Sequence, residues 1–120
     1  MERVVVIGGD AAGMSAAAQI SRGAEAREVV VFERGEYTSF AACGLPYFVG
    51  GLVGSADRLV ARSPEQHRAN GIDVRTRHEV VAIDTGRRSV TVRDLDAGTE
   101  TDERYDQVLI AVGATPIRPP

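Results

Sequence analysis

The sequence predicts an α/β fold that combines a parallel sheet with an antiparallel β-meander, and three observations support this prediction. A β-branched apolar run, Arg3–Ile7, leads through a glycine-rich turn into an alanine-rich segment typical of a helix. A second apolar run, Glu28–Arg34, follows a short linker and completes a βαβ unit, whose strands should be parallel with a right-handed crossover. After Ile72 the pattern changes to short extended segments separated by tight turns.

The turn after the first strand has the sequence "GGDAAG" and resembles a phosphate-binding glycine turn. Gly8 and Gly13 match the first and third glycines of G-x-G-x-x-G, whereas Asp10 occupies the middle position and Gly9 is displaced by one. Gly8 permits the tight turn, Gly13 permits close packing of helix on strand, and the free amides of the helix N-terminus would face a pyrophosphate. The structural alternative is that strand–turn–helix junctions favour glycine without any ligand. We expect Asp10 either to cap the helix or to provide a polar group near the cofactor.

An acidic residue ends the second strand. Glu33 lies twenty residues after Gly13, where a carboxylate hydrogen-bonds the hydroxyls of an adenosine ribose and disfavours a 2′-phosphate. Alternatively, Glu33 is a solvated strand end. Because strand, glycines, helix, second strand and acid occur in the correct register, we interpret residues 1–34 as a Rossmann-type half that binds a dinucleotide.

The later elements follow from their own local signals. In "SPEQHRANG", Ser63 is placed as an N-cap, Gln66 takes the reciprocal capping position, and Asn70-Gly71 ends a short helix. The segment Ile72–Asp84 is predicted as the first extended part of the meander. The segment Gln107–Ala114 is predicted as a buried, parallel-type strand that ends in a glycine turn.

Composition argues against several classes of partner. Fourteen basic and seventeen acidic residues give a formal net charge of −3 without any block of like charge, so neither nucleic acid nor a membrane is expected as a partner. The apolar run near the N-terminus is too short for a signal peptide or a spanning helix, which predicts a cytoplasmic location. His67 and His78 are widely separated, and no metal site is predicted.

Cys43 is the only cysteine of the chain and lies in "SFAACGLPYFVGG". A lone cysteine cannot form an internal disulfide, and its position at the predicted start of a helix favours a reactive thiol. Such a thiol can cycle through a mixed disulfide with a small thiol or persulfide, or through a sulfenic acid formed with peroxide or oxygen. The alternative is that Cys43 is a buried small hydrophobe.

Three segments, "VVVIGGDAAGMSAAAQI", "FERGEYTSFAACGLPYFVGG" and "YDQVLIAVGATP", resemble the N-terminal FAD domain of the single-cysteine pyridine nucleotide-disulfide oxidoreductases. The resemblance covers the whole chain and is greatest to the coenzyme A disulfide reductases. It implies a Rossmann-like FAD-binding domain with a β-meander crossover. In that family NAD(P)H reduces FAD, FAD reduces the cysteine, and the cysteine holds coenzyme A as a mixed disulfide. Phe48 stands where two-cysteine relatives carry their second cysteine, which excludes an internal redox disulfide.

The resemblance also implies site residues. Cys43 is the redox nucleophile and Ser39 acts beside it in catalysis and substrate contact. The predicted coenzyme A contacts Ser15, Gln19 and Arg22 share one helical face by their spacing, and a solvated helix face is the alternative reading. The predicted FAD contacts are Gly8, Gly9, Ala12, Gly13, Glu33, Arg34, Val81, Ala111 and Gly113.

Two positions depart from the family pattern. Ala42 stands where the family has an asparagine that contacts substrate. Asp10 stands where the peroxidases and many oxidases of the family carry a histidine, which argues against an efficient peroxidase.

The resemblance implies an FAD-dependent NAD(P)H:disulfide oxidoreductase acting on coenzyme A disulfide or persulfide. An NADH oxidase that uses a cysteine sulfenate is the second enzymatic reading, and a truncated nucleotide-binding module without turnover is a reading of another class. We interpret residues 1–120 as the N-terminal part of an FAD-binding domain. The binding domain for NADH or NADPH and the homodimerisation domain of the family are expected outside this chain, which by itself should be inactive.

Overall fold

The computed structural model describes all residues from Met1 to Pro120. Its helices and strands are, in order, β1 (Glu2–Ile7), α1 (Ala11–Ser21), β2 (Arg27–Glu33), α2 (Leu45–Val49), α3 (Pro64–Ala69), β3 (Asp73–Thr76), β4 (His78–Asp84), β5 (Ser89–Asp94), β6 (Glu100–Arg104) and β7 (Gln107–Ile110). Short 3₁₀ turns cover Ala42–Gly44 and Ala56–Leu59. None of the helices has the length and apolar character needed to cross a lipid bilayer.

A four-stranded parallel sheet forms the centre of the fold, in the order β3-β2-β1-β7. Val5 of β1 pairs with Val30 of β2 on one side and with Val108 of β7 on the other. The β1-α1-β2 unit and the parallel pairing of the final strand are therefore confirmed, and with them the predicted α/β Rossmann-like class. The predicted burial of that strand is wrong, because Gln107, Leu109 and Ile110 are exposed and only Val108 is half-buried. A three-stranded antiparallel sheet, β4-β5-β6, is the predicted meander.

The apolar side chains of β1 and β2 contribute to two separate cores, because successive side chains of a strand point to opposite faces of the sheet. One face packs against α1, and the other packs against the meander. The first core contains Val4, Val6, Val29, Val31, Ile72, Val74, Met14 and Ala17. The second contains Val5, Ile7, Val30, Phe32, Val90, Val92 and Tyr105. The result is a helix layer, a parallel sheet and a meander layer.

The prediction of one extended meander segment over Ile72–Asp84 is wrong at its start. Arg77 has a φ of +58° and breaks the segment into two strands. The first, β3, joins β2 in the parallel sheet, and only the second, β4, belongs to the meander. One left-handed residue redirects the chain here, and a pattern of apolar and polar residues carries no signal for such a turn at an arginine.

Helix α3 begins as its sequence predicts. The Ser63 hydroxyl accepts a hydrogen bond from the Gln66 amide (3.2 Å), and the Gln66 side-chain oxygen accepts one from the Ser63 amide (2.8 Å). Pro64 occupies the first turn, and Asn70 is the C-cap residue. This reciprocal capping stabilises a helix that is too short to form by propensity alone.

Charged side chains join the meander to the parallel sheet. Glu103 of β6 binds Arg3 of β1 at 3.0 Å and Arg75 of β3 at 2.9 Å. Close to these two ion pairs, the Asp106 carboxylate accepts a hydrogen bond from the Arg3 amide at 2.6 Å. That amide, together with the hydrogen-bonded Arg104 guanidinium, lowers the pKa of the Asp106 carboxyl. The ion pairs therefore fix where β6 and the β6–β7 connection lie against the first strand.

The turn between β4 and β5 provides a test of backbone strain. Arg88 has a φ of +50°, whereas its equally exposed neighbour Arg87 does not have a positive φ. We expect Arg88→Gly to raise the free energy of unfolding by about 0.5 kcal/mol, because relief of left-handed strain exceeds the entropy lost with glycine. The matched Arg87→Gly should lower it by about 0.5–1 kcal/mol. Chemical denaturation measures both, and equal effects of the two substitutions would contradict the strain at Arg88.

Candidate functional site

The glycine turn between β1 and α1 is packed too closely for side chains. Gly8 has a φ of +109°, and a Cβ atom there would overlap the carbonyl oxygen of Ala111. A Cβ atom on Gly13 would overlap the carbonyl oxygen of Gly8. The Ala111 amide also donates to the Ile7 carbonyl at 2.8 Å, which holds the end of β7 beside the turn. Close packing of the helix on the turn, the reason predicted for Gly13, is thus observed.

A cavity of about 410 Å³ opens beside this turn, between the ends of β1, β2 and β7 and the start of β4. Among the predicted cofactor residues, it brings together Gly8, Glu33, Arg34 and Gly113. Its remaining lining residues are Ile7, Asp10, Phe32, His78, Glu79, Val80, Val112, Ala114 and Thr115. We call it the dinucleotide cavity.

The other predicted cofactor residues lie around the dinucleotide cavity without lining it. Gly9 is buried in the turn, and in the first turn of α1 Gly13 is buried whereas Ala12 is exposed. Ala111 lies against Gly8. Val81 lies at an irregularity of the β4–β5 pairing, and its neighbour Val80 is the residue that lines the cavity.

Backbone amides hold the Glu33 carboxylate in place. One of its oxygens accepts a hydrogen bond from the Gly9 amide (2.9 Å) and the other accepts one from the Gly35 amide (2.7 Å). A carboxylate has about four lone-pair sites, so each oxygen can accept a further hydrogen bond from a hydroxyl group. Glu33 is therefore a positioned acceptor at the cavity wall rather than a freely solvated strand end.

Cys43 lies in the 3₁₀ turn that runs directly into α2, so its predicted place at a helix start is confirmed. Its side chain is exposed, and the alternative of a buried small hydrophobe is therefore wrong. The thiol is open to a ligand.

The segment before Cys43 is docked onto the glycine turn. The Ser39 amide donates to the Gly9 carbonyl at 2.8 Å, and the Phe40 amide donates to the Asp10 carboxylate at 3.2 Å. Asp10 stands at the N-cap position of α1, but its side chain makes no capping hydrogen bond, so the predicted capping role is wrong. Its carboxylate binds the cysteine segment instead. Asp10 also lines the dinucleotide cavity.

A second cavity, of about 580 Å³, contains Cys43, and we call it the thiol cavity. It brings together every predicted catalytic and substrate residue: Ser15, Gln19, Arg22, Ser39 and Cys43. Asp10 lines the dinucleotide cavity and the next residue, Ala11, lines the thiol cavity, so the two cavities lie next to each other at the start of α1. The polar face of α1 therefore borders a concave surface beside the thiol.

Two polar residues of the thiol cavity, Arg62 and His67, were not predicted from the sequence. The His67 side chain is buried, and its Nε2 lies 2.8 Å from the Ser39 hydroxyl oxygen. Burial and, to a smaller extent, the charge of Arg62 lower the pKa of His67. His67 was considered only as a metal ligand, because nothing in the sequence shows that α3 packs over the segment before Cys43.

Comparison with known proteins places the chain in a family. The family model described as pyridine nucleotide-disulphide oxidoreductase matches residues 2–120. The chain belongs to this family. Members of the family are FAD-dependent oxidoreductases that use NAD(P)H.

Three relatives illustrate the similarity. Coenzyme A disulfide reductase of Staphylococcus aureus is 35% identical over 116 residues, which cover 96% of this chain and 26% of the relative. The structure of the water-forming NADH oxidase of Lactobacillus brevis has a TM-score of 0.94 and 37% identity, covering 100% of this chain and 27% of that one. The NAD-dependent persulfide reductase of A. fulgidus has a TM-score of 0.91 and 40% identity, covering 98% of this chain and 23% of that one. The chain thus spans about a quarter of the length of such relatives.

Gly13 provides a test of the glycine turn. Because a Cβ atom there would overlap the Gly8 carbonyl, we expect Gly13→Ala to lower the free energy of unfolding by about 1–3 kcal/mol despite the higher helix propensity of alanine. The matched control is Gly86→Ala, where the nearest atom lies 3.5 Å from the added Cβ. Denaturant unfolding measures both variants. A Gly13→Ala protein as stable as the control would show that α1 does not need this close approach.

The lowered pKa of His67 predicts that the stability of the fold depends on pH. Its pKa is lower in the folded protein than the ordinary value of 6.5, so the unfolded chain binds the proton first as the pH falls. The free energy of unfolding should therefore decrease as the pH is lowered from about 7 through 6.5 towards the folded-state pKa. His67→Gln should flatten this decrease in urea titrations. The matched variant His78→Gln keeps His67 and should keep the slope, so equal slopes in the two variants would contradict the assignment.

Proposed function

We propose that the chain is the FAD-binding portion of an NAD(P)H-dependent flavoprotein that reduces coenzyme A disulfide or a related persulfide through Cys43. The observation that carries the proposal is that two cavities lie next to each other at the start of α1. One is built from a glycine turn and a positioned carboxylate, and the other contains an exposed thiol beside a polar helix face. This arrangement suits a redox cofactor next to a thiol that reacts with substrate.

The residues of the dinucleotide cavity fit FAD. Without Cβ atoms at Gly8 and Gly13, the turn leaves the first amides of α1 open to a pyrophosphate, which the positive end of the helix favours. Glu33 retains acceptor sites for the ribose hydroxyls. The positive φ of Gly113, where an added Cβ would meet nothing within 4 Å, leaves room at the end of β7. FAD supplies the electron pair that regenerates the thiol.

The thiol cavity fits a phosphorylated thiol such as coenzyme A. Arg22 and Arg62 both line it, and guanidinium groups bind phosphate by charge-assisted hydrogen bonds. Ser15 and Gln19 add a hydroxyl and an amide along the same wall. Gln19 already contacts Arg22 at 3.3 Å, which helps to hold the guanidinium at the cavity.

The proposed chemistry at Cys43 is thiol–disulfide exchange. The Cys43 thiolate attacks one sulfur of the substrate disulfide, a new S–S bond forms, and the substrate S–S bond breaks. The leaving thiolate takes up a proton. A two-electron reduction, which bound FAD would supply, and the uptake of one proton then break the mixed disulfide, release the second substrate thiol and return Cys43 to its thiolate. No second cysteine is needed, because the substrate provides the other sulfur.

The proposal extends to parts of the enzyme beyond these residues. Residues 1–120 correspond to the N-terminal part of the FAD-binding domain. NADH or NADPH would bind to a separate domain, the complete enzyme would be a cytoplasmic homodimer, and this chain by itself would be inactive. The support is the family membership together with the quarter of each relative's length that the chain spans.

A water-forming NADH oxidase is the second candidate. It is favoured by the 37% identity and TM-score of 0.94 to the Lactobacillus brevis enzyme, and an exposed single thiol is suited to a sulfenate cycle. A nucleotide-binding module without turnover is the candidate of another class.

One titration separates the three candidates. The full gene product that carries this chain is reduced with NADH or NADPH under anaerobic conditions, and flavin absorbance is then followed after the addition of coenzyme A disulfide or, in a separate sample, of oxygen. We expect flavin reduction and reoxidation by the disulfide. Reoxidation by oxygen alone would favour the oxidase, and a protein that is not reduced would leave only the binding module.

Cys43→Ser tests the role of the thiol in the same titration. We expect the variant to retain flavin and its reduction by NAD(P)H but to lose reoxidation by coenzyme A disulfide, because no sulfur remains to form the mixed disulfide. Wild-type protein alkylated at Cys43 is the matched control and should behave in the same way. Full disulfide turnover in the serine variant would refute the role of Cys43.

A further inference from the structure

Ser39 has a strained backbone that its surroundings hold in place. Its φ of +51° lies in the left-handed region, which is unfavourable for a residue other than glycine. The Ser39 amide donates to the Gly9 carbonyl (2.8 Å), and the Ser39 carbonyl accepts a hydrogen bond from the Ala61 amide (3.0 Å). The preceding side chain, Thr38, is fully buried and donates to the Arg62 carbonyl (3.1 Å). Strain that several contacts maintain points to a functional role for the side chain that it directs.

The Ser39 hydroxyl is paired with a buried imidazole. Only 2% of His67 is exposed, and its Nε2 lies 2.8 Å from the Ser39 hydroxyl oxygen. The other ring nitrogen, Nδ1, is buried and has no hydrogen-bond partner. His67 and Ser39 both line the thiol cavity with Cys43.

The unpartnered Nδ1 determines which tautomer is favourable. A proton on Nδ1 would leave a buried N–H donor without an acceptor, which is rarer in proteins than an acceptor left without a donor. The proton is therefore placed on Nε2, which donates to the Ser39 oxygen. Burial and the neighbouring Arg62 lower the pKa of His67, which keeps the ring neutral near pH 7. With its oxygen accepting from Nε2, the Ser39 hydroxyl directs its own hydrogen elsewhere.

We propose that His67 is a positioning residue that makes Ser39 a hydrogen-bond donor to the sulfur of a thiol substrate bound beside Cys43. This inference rests on the function proposed above and adds to it a residue that orients the substrate contact. The hydrogen bond from Nε2 fixes the orientation of the hydroxyl group. The hydroxyl hydrogen then stabilises the substrate sulfur as it leaves with negative charge during exchange with Cys43.

Kinetics of the full gene product with coenzyme A disulfide test this coupling. We expect His67→Phe, which fills the space but has no donor, to lower kcat/KM for the disulfide about fivefold to tenfold, and we expect the same loss for Ser39→Ala. The double variant should be no slower than Ser39→Ala alone, because His67 acts through Ser39. His67→Gln, whose side-chain amide restores an N–H donor, should recover most of the rate. Losses that multiply in the double variant, or an unchanged His67→Phe enzyme, would overturn the proposal.

A second measurement does not depend on the substrate. Nitrogen NMR of ¹⁵N-histidine-labelled wild-type protein, with His67→Gln to assign the signal, reports which ring nitrogen carries the proton. Protonated Nε2 at pH 7 is the expected result, and protonated Nδ1 overturns the proposal whatever the enzyme reduces. If coenzyme A disulfide is not turned over but Nε2 is protonated, the proposed substrate fails while the His67–Ser39 arrangement is supported. If His67→Phe loses its flavin and does not fold, two other results decide. Protonated Nε2 together with a His67→Gln enzyme that is faster than Ser39→Ala supports the proposal, and failure of either result overturns it.

Discussion

The docking of the cysteine segment on the glycine turn is the contact on which the whole site depends. Two backbone amides make it, from Ser39 to the Gly9 carbonyl and from Phe40 to the Asp10 carboxylate. The glycine turn forms one wall of the dinucleotide cavity, and the cysteine segment forms one wall of the thiol cavity. A shift of either partner would change both cavities at once. Asp10 contributes directly to this contact, since its carboxylate accepts a hydrogen bond from an amide of the segment that carries the thiol.

The sheet provides the rigid base for that contact. Because β1 and β2 bury both of their faces, one under α1 and the other under the meander, the ends of these strands have little freedom to move. The glycine turn follows β1 directly, and Glu33 is the last residue of β2. Both groups are therefore positioned by packed strands, and the carboxylate is held further by two amides. Such support is what a binding site needs to remain ordered before its ligand arrives.

Sequence reasoning was most reliable where one local signal determines the structure. The capping residues of α3 and the glycine turn are examples, because each depends on residues within a few positions of one another. It failed at Arg77, where a single left-handed residue moves β3 into the parallel sheet. The capping alternative for Asp10 also failed, because its side chain accepts a hydrogen bond from an amide thirty residues away and none from the nearby helix amides. In both cases a distant contact outweighs the local preference.

The sequence by itself determined the α/β class and the βαβ unit with its glycine turn. These follow from periodicity, local steric limits and motif spacing, which are properties of short stretches of chain. Only the tertiary structure decided that the helix face of Ser15 and Arg22 borders the cavity of Cys43, and that His67 reaches the Ser39 hydroxyl. The latter pair is 28 residues apart. Contacts over such separations arise because the fold places α3 beside the cysteine segment, and no local pattern encodes them.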